Sequence, residues 1–258
     1  MSLTAATRLT TIEKANRILG LFSVDDPLLR PSEIAARLGV PRSTVHKYVH
    51  SLVQTGFLTR HMGGPFLRLG PRLLELAAVS HRSTDLVDVA YPVLHRLARE
   101  TGETALLTEL IGAESVCLAR AESSQHLKVT YEVGQSYPLH AGASSLVLLA
   151  GVPKTTQRRI IAGLVLKRYT ENTITSRSDL CERLEEIRER GFAVSRGEFL
   201  KHVFAVAAPI ELNAPGLVAS ASIAGPLQRL TKVVAREMVK KVKKSALEVS
   251  QGIRGLQR

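Results

Sequence analysis

A chain of 258 residues with 45% hydrophobic content is long enough for one large or two modest domains, and that apolar share excludes wholesale disorder. Its formal net charge of +12 argues for a polyanionic partner, and no apolar run approaches the roughly 18–20 residues of a membrane helix. Glu13 and Lys14 interrupt the first apolar pattern, which argues against a secretory leader; Cys117 and Cys181, in no metal-ligand spacing, fit a reducing cytoplasm.

The positive charge is unevenly spread. Residues 1–82 hold 11 Lys and Arg against 5 Asp and Glu, and residues 226–258 hold 9 against 2. The segment between them is close to neutral, with 15 against 16. A basic front therefore addresses the polyanion, and the neutral middle serves another purpose.

In chain order, Met1–Thr11 reads as a loose basic arm. TIEKANRILGLFSV predicts a first helix with Ile12, Ala15, Ile18, Leu19 and Phe22 on one face, broken at Asp25–Asp26–Pro27. SEIAARLG predicts a short second helix capped by Ser32 and stopped by Gly39. Val40–Pro41 is a tight joint, and a third helix starts near Pro41. Its Val45, Tyr48, Val49, Leu52 and Val53 recur at three- and four-residue steps and face inward, with His50 among them. Arg42, Ser43, Thr44, His46 and Lys47 are left outward near the helix start. This layout is a helix-turn-helix with hydrogen-bond donors where a major-groove reader carries them. Arg42 suits guanine O6 and N7; Ser43 and Thr44 suit phosphate or a base edge, and Lys47 a phosphate. TGFLTRHMGGPFLRLG predicts a hairpin about Gly63–Gly64, a wing whose Arg60, His61 and Arg68 can reach the backbone or minor groove.

Pro71–His81 predicts a stiff connector helix with Leu73, Leu74, Leu76 and Ala77 as its apolar side, suited to dimer contact. From Ser83 on, DLVDVAYPVLHRLARETGE predicts a helix tolerating Pro92, and TALLTELIG, ESVCLARAE and KVTYEV predict strands. HAGASSLVLLA, PKTTQRRIIAG and SRSDLCERLEEIRERG predict helices, the last capped by Ser178 with Glu182 and closed by Gly191. FAVSRGEF, VFAVAAPIEL and GLVASASIAG predict strands, and the chain finishes with a long basic helix. The class is α+β, and the small-residue turn before the mid-chain helix suits a ligand pocket.

These pieces together resemble the IclR family of bacterial transcriptional regulators over nearly the whole chain. The segments carrying the resemblance are TIEKANRILGLF, SEIAARLGVPRSTVHKYVHSLVQTGFL, LRLGPRLLEL, YPVLHRLARETGETALL, VGQSYPLHA, RERGFAVSRGEF, VAAPI and ASIAGP. The resemblance implies an N-terminal winged helix-turn-helix over residues 1–69, a linker helix over 70–82 and a GAF-like α/β sandwich effector domain over 83–258. It also implies dimers, often paired into tetramers, on double-stranded operator DNA, with a small organic acid as effector. Repression is the expected sense of action. Carried over by position, the effector pocket falls on Gly142, Ala143, Ser144 and Ser145, with Tyr137 ahead of them and Val129 as an apolar wall on a strand. Ser195 and Glu198 supply an acidic turn, Val203 and Ala205 come from the next strand, and Ser222 and Ala224 from the last. The chain departs from the family pattern at Ser145 and Leu146, where Gly-Lys is usual, and at His202, Ala205 and Ala224, where Gly, Cys and Ser are. A less polar base follows, suited to a larger, partly aromatic carboxylate.

No cofactor, metal or catalytic residue is expected. His46 and His50 are four apart on one helix but lack a third ligand. Cys117, His140 and Glu198 lack any context that makes them a triad. Two rival readings are a metabolite-binding protein whose winged domain contacts proteins, and a GAF-type enzyme. The C-terminal lysines, Lys240, Lys241, Lys243 and Lys244, read as a solvated face, or more sharply as added DNA affinity.

Overall fold

The computed structural model describes residues 11–23, 26–82, 85–212 and 218–256, with backbone alone at 77–82 and 85. Most of the expected N-terminal arm, Asp25, the Ala77 side chain and Ser83 lie outside the described residues. The chain folds as two units, one to either side of residues 83–84.

In the first unit, α1 (Thr11–Leu19), α2 (Pro31–Leu38) and α3 (Arg42–Gln54) precede strands β1 (Leu58–Arg60) and β2 (Leu67–Leu69) and helix α4 (Pro71–Arg82). The three-helix core forms because apolar residues recur at helical spacing: Ile18, Ile34, Val45, Val49 and Leu52 are buried together, with Leu58 and Leu67 from the hairpin. α1 stops sooner than expected: the Leu21 and Phe22 N–H groups bond Ile18 and Leu19, three residues back, at 3.3 Å, which tightens the chain out of the α-helical pattern. Ile12 is a correction: it is 80% exposed, one turn short of the core. Ser32 is another. Pro31 opens α2 at its first position, and the cap comes from Glu33, whose carboxylate accepts the Arg30 N–H at 2.6 Å. Gly39, at φ +64°, closes α2 in a left-handed conformation that a side chain would strain. β1 and β2 pair antiparallel, Thr59 opposite Arg68 and Arg60 opposite Leu67, about a 3-10 turn at His61–Gly63. A bridge between Leu29 and Leu67, not anticipated from the sequence, adds a third chain segment to the wing.

α4 begins hard against that wing. The Gly70 N–H bonds the Phe57 carbonyl at 2.8 Å and the Arg72 N–H bonds Gly56 at 3.2 Å. A Cβ at Gly70 would stand 2.1 Å from the Gly56 oxygen, so only glycine permits this approach.

In the second unit, six antiparallel strands run in the order β5-β4-β3-β8-β7-β6. These are β3 (Thr104–Ile111), β4 (Glu114–Ala121), β5 (Ser136–Tyr137), β6 (Ala193–Arg196), β7 (Val203–Ile210) and β8 (Ala219–Pro226). α5 (Asp85–Thr101) and α9 (Lys232–Leu256) cover one face, where Ala105, Leu107, Phe204, Val206 and Ile223 are buried. α6 (Ala143–Gly151), α7 (Lys154–Gly163) and α8 (Arg177–Arg190) belong to the other, with Ala205, Ala207 and Ala224. Strand alternation separates the two sets. Pro92, exposed, leaves α5 unbroken. Two further expectations need correction. KVTYEV forms no strand: Thr104 Oγ1 donates to the Val129 carbonyl at 2.9 Å and Arg120 to the Tyr131 carbonyl, so side chains satisfy the backbone that a ladder would have. Ser178 does not cap α8; Ser176 does, its hydroxyl accepting the Asp179 N–H at 3.5 Å. No described helix is long and apolar enough to cross a membrane.

Candidate functional sites

The exposed face of α3 carries Arg42, Ser43, His46 and Lys47, all solvent-facing, while Thr44 is half-buried against the helix joint. His50 is exposed rather than inward, because position 50 follows 42, 43, 46 and 47 around the outer face. α3 has no acidic residue to neutralise this stripe. On the wing, the pairing register sends Arg60 to the face of Leu58 and Leu67 and Arg68 to the opposite face. Arg30 was not singled out from the sequence; its guanidinium stacks on Phe66 with 4.6 Å to the ring centroid, close to the wing turn.

In the second unit a cleft opens at the N-terminus of α6, with about 380 Å³ of atom-free space counting its mouth. Tyr137, Gly142, Ala143, Ser144, Ser145 and Ala205 line it, as expected from their positions. Gly142 adopts φ +94°, which turns the chain into the helix and leaves the first-turn N–H groups without intrahelical acceptors. Glu198 and Ser195 form its support. The Glu198 carboxylate accepts the Gly142 N–H at 3.2 Å and a hydrogen bond from Ser195. Burial raises the Glu198 pKa above its ordinary range, opposed by the Gly142 N–H, Arg183, Ser195 and Arg196. Ser222 stands one layer back, its Oγ accepting from Ser144 Oγ at 2.8 Å, and Ala224 is packed in the α6-side core. Ser145 and Leu146 are buried, so the apolar Leu146 fills space next to the turn.

Val129 and Val203 are corrections. They line a separate surface groove with Leu200 and His202: the segment holding Val129 is not a strand, and Val203, at the start of β7, packs against the α6-side core without entering the cleft. Six lining residues escaped the sequence reading: Leu106 and Thr108 on β3, Ser115 on β4, Tyr131, Ala141 and Phe199. The alternation of β3 carried a signal for Leu106 and Thr108; Ser115 becomes visible only once β5 places Tyr137 opposite it. Three of the walls are aromatic. Tyr131 meets Tyr137 edge-on at 5.3 Å, and Tyr137 meets Phe199 at 5.9 Å. Burial lifts the Tyr137 phenol to about 12, and it donates to Gln135 at 2.9 Å.

Cys117, His140 and Glu198 each have partners of their own. Burial pushes the Cys117 thiol up to about 11, and it donates to the Ala119 carbonyl. His140, buried, pairs a ring nitrogen with the Lys167 carbonyl at 2.9 Å. Among the described residues no group of three His, Cys, Asp or Glu is arranged to hold a metal.

A winged helix-turn-helix with a basic outer helix face, followed by a sheet domain with a cleft at a helix N-terminus, defines a DNA-binding transcriptional regulator. Comparison with known proteins agrees. The IclR helix-turn-helix domain matches residues 11–61, and the C-terminal domain of the bacterial transcriptional regulator IclR matches residues 78–251. The chain belongs to the IclR family. It is 30% identical to the transcriptional regulator KipR of Bacillus subtilis, across 94% of this chain and 96% of that one. An IclR transcriptional regulator from a Silicibacter species superposes with a TM-score of 0.88 at 28% identity, covering 95% of this chain and 96% of its own. An IclR homologue from Microbacterium hydrocarbonoxydans, crystallised with 4-hydroxybenzoate, gives 0.77 at 27% identity, covering 95% and 100%.

Proposed function

We propose that this regulator reads operator DNA through Arg42, Ser43, Thr44, His46 and Lys47, with Arg60 and Arg68 on the backbone, and that an aromatic carboxylate bound at the α6 cleft alters that grip. The observation that carries the effector class is the aromatic wall of Tyr131, Tyr137 and Phe199 beside the open N-terminus of α6. Donors at a helix N-terminus receive a carboxylate, and edge-on rings receive an aromatic body. The homologue holding 4-hydroxybenzoate supports the same class.

The protein acts as a homodimer or a dimer of dimers. Leu74, 75% exposed on α4, supplies apolar surface for pairing. The effector shifts the equilibrium between two pairings of the subunits that it binds unequally, and α4 passes the change to the heads. The sense is repression, with effector loosening DNA. The test is fluorescence anisotropy of a labelled duplex from the DNA upstream of its own coding region, titrated with and without 4-hydroxybenzoate and related aromatic acids. Binding at low salt that weakens on adding an acid is the expected result. Indifference to every duplex sinks the reading, and indifference of a bound duplex to every acid sinks the effector half.

A further inference from the structure

Two side-chain atoms among the described residues are buried without a hydrogen-bond partner: Ser115 Oγ and Arg254 Nε. Arg254 is otherwise engaged, donating through its other nitrogen to Glu211 at 2.7 Å. Ser115 has no such outlet. It is 1% exposed and lines the α6 cleft. Its backbone is held on two sides, opposite Leu110 on β3 and opposite Tyr137 on β5. Three other hydroxyls of the cleft wall have side-chain partners. Thr108 Oγ1 pairs with Ser220 Oγ at 2.7 Å, Ser144 with Ser222, and Tyr137 with Gln135. A serine hydroxyl offers one donor and two acceptor sites, and leaving it buried and unpaired is unfavourable. Such a group calls for a partner that the protein itself does not supply.

We infer that Ser115 hydrogen bonds a second polar group, a ring hydroxyl, on the acid whose carboxylate meets the N-terminus of α6. This rests on the aromatic-acid reading above and narrows it: the effector class is the hydroxylated aromatic carboxylates, preferred over their unsubstituted parents. A cleft built to bond a hydroxyl discriminates against the analogue lacking it, because its own polar group is then left unpaired.

The test is calorimetric titration of the full-length protein and its Ser115→Ala and Ser115→Cys variants with matched acids: 3- and 4-hydroxybenzoate against benzoate, and 4-hydroxyphenylacetate against phenylacetate. In the wild type at least one hydroxylated acid binds about tenfold tighter than its parent, the size of one hydrogen bond to a buried group. In Ser115→Ala that advantage disappears, so that each hydroxylated acid and its parent bind within about twofold of each other. Ligand-free Ser115→Ala melts at or above the wild-type temperature, because an unpaired hydroxyl has been removed rather than a bond. Binding of both members of every pair with equal affinity, or equal loss for both in the variant, overturns the Ser115 assignment and leaves the aromatic-acid reading intact. A melting point several degrees lower in both variants also overturns it, by exposing a structural role. Wild type that binds none of the acids sinks the effector reading itself, and this assignment with it.

Discussion

Glu198 is held at the neck of the α6 cleft, where burial raises its pKa and the Gly142 N–H, Arg183 on α8, Ser195 and Arg196 on β6 only partly compensate. A carboxyl whose folded pKa exceeds its unfolded value of about 4.5 binds more protons in the folded state. Its contribution to stability is thus full below the unfolded value and is lost as pH rises through the folded one. Glu198→Gln keeps an acceptor for Gly142 and carries no charge. Its melting temperature, scanned from pH 4 to 8, is expected to exceed the wild type's at the neutral end and converge with it in acid; the reverse trend removes Glu198 as a strained ion. On α3, Arg42→Ala is expected to cost about 1–3 kcal/mol on an operator and to relax preference at one base pair. Equal weakening on operator and random duplex would demote Arg42 to a phosphate contact. Single positions were legible in sequence where a glycine or a helix start fixed them, as at Gly142 and Ser144. Ser115 and Phe199 were not, since what makes them neighbours is a ladder and a turn far apart in the chain.

Among the elements, α9 shows what its lysines do. Lys241 donates to the Glu100 carbonyl at 2.6 Å near the end of α5, and Lys243 to the Arg190 carbonyl at 3.3 Å at the end of α8. Lys240 pairs with Glu237. A cation on a helix's last carbonyls satisfies orphan acceptors and suits the dipole. Replacing Lys241 and Lys243 by Gln is therefore expected to lower stability by about 0.3–1 kcal/mol each in denaturant unfolding. Replacing all four lysines leaves the log–log salt slope of DNA binding unchanged; a shallower slope would mean that the tail touches phosphate. The helices of the first unit were readable from apolar spacing because packing there obeys one period. KVTYEV misled for a physical reason: its β-prone residues lie where Thr104 and Arg120 take the carbonyls that a neighbouring strand needs.

For the molecule as a whole, the α+β order of the chain was readable because runs of strands and helices alternate cleanly, whereas the cleft was only half readable because its walls come from β3, β4, β5, β7, the start of α6 and the loops between. Ligand linkage follows from that closed arrangement. A bound acid at a hundred times its dissociation constant is expected to stabilise the second unit by about 2.7 kcal/mol, visible as a raised melting temperature. The same acid should leave the unfolding of an isolated first unit untouched, and a shift there would place the site elsewhere. In the first unit, Gly56, Phe57, Gly70 and Arg72 bolt the opening turn of α4 onto the hairpin, with no room for even a methyl group at Gly70. The start of α4 is thus fastened to the turn that follows α3, so the chain leaves the helix carrying Arg42 and Lys47 and enters α4 through a seam that only glycine can fill.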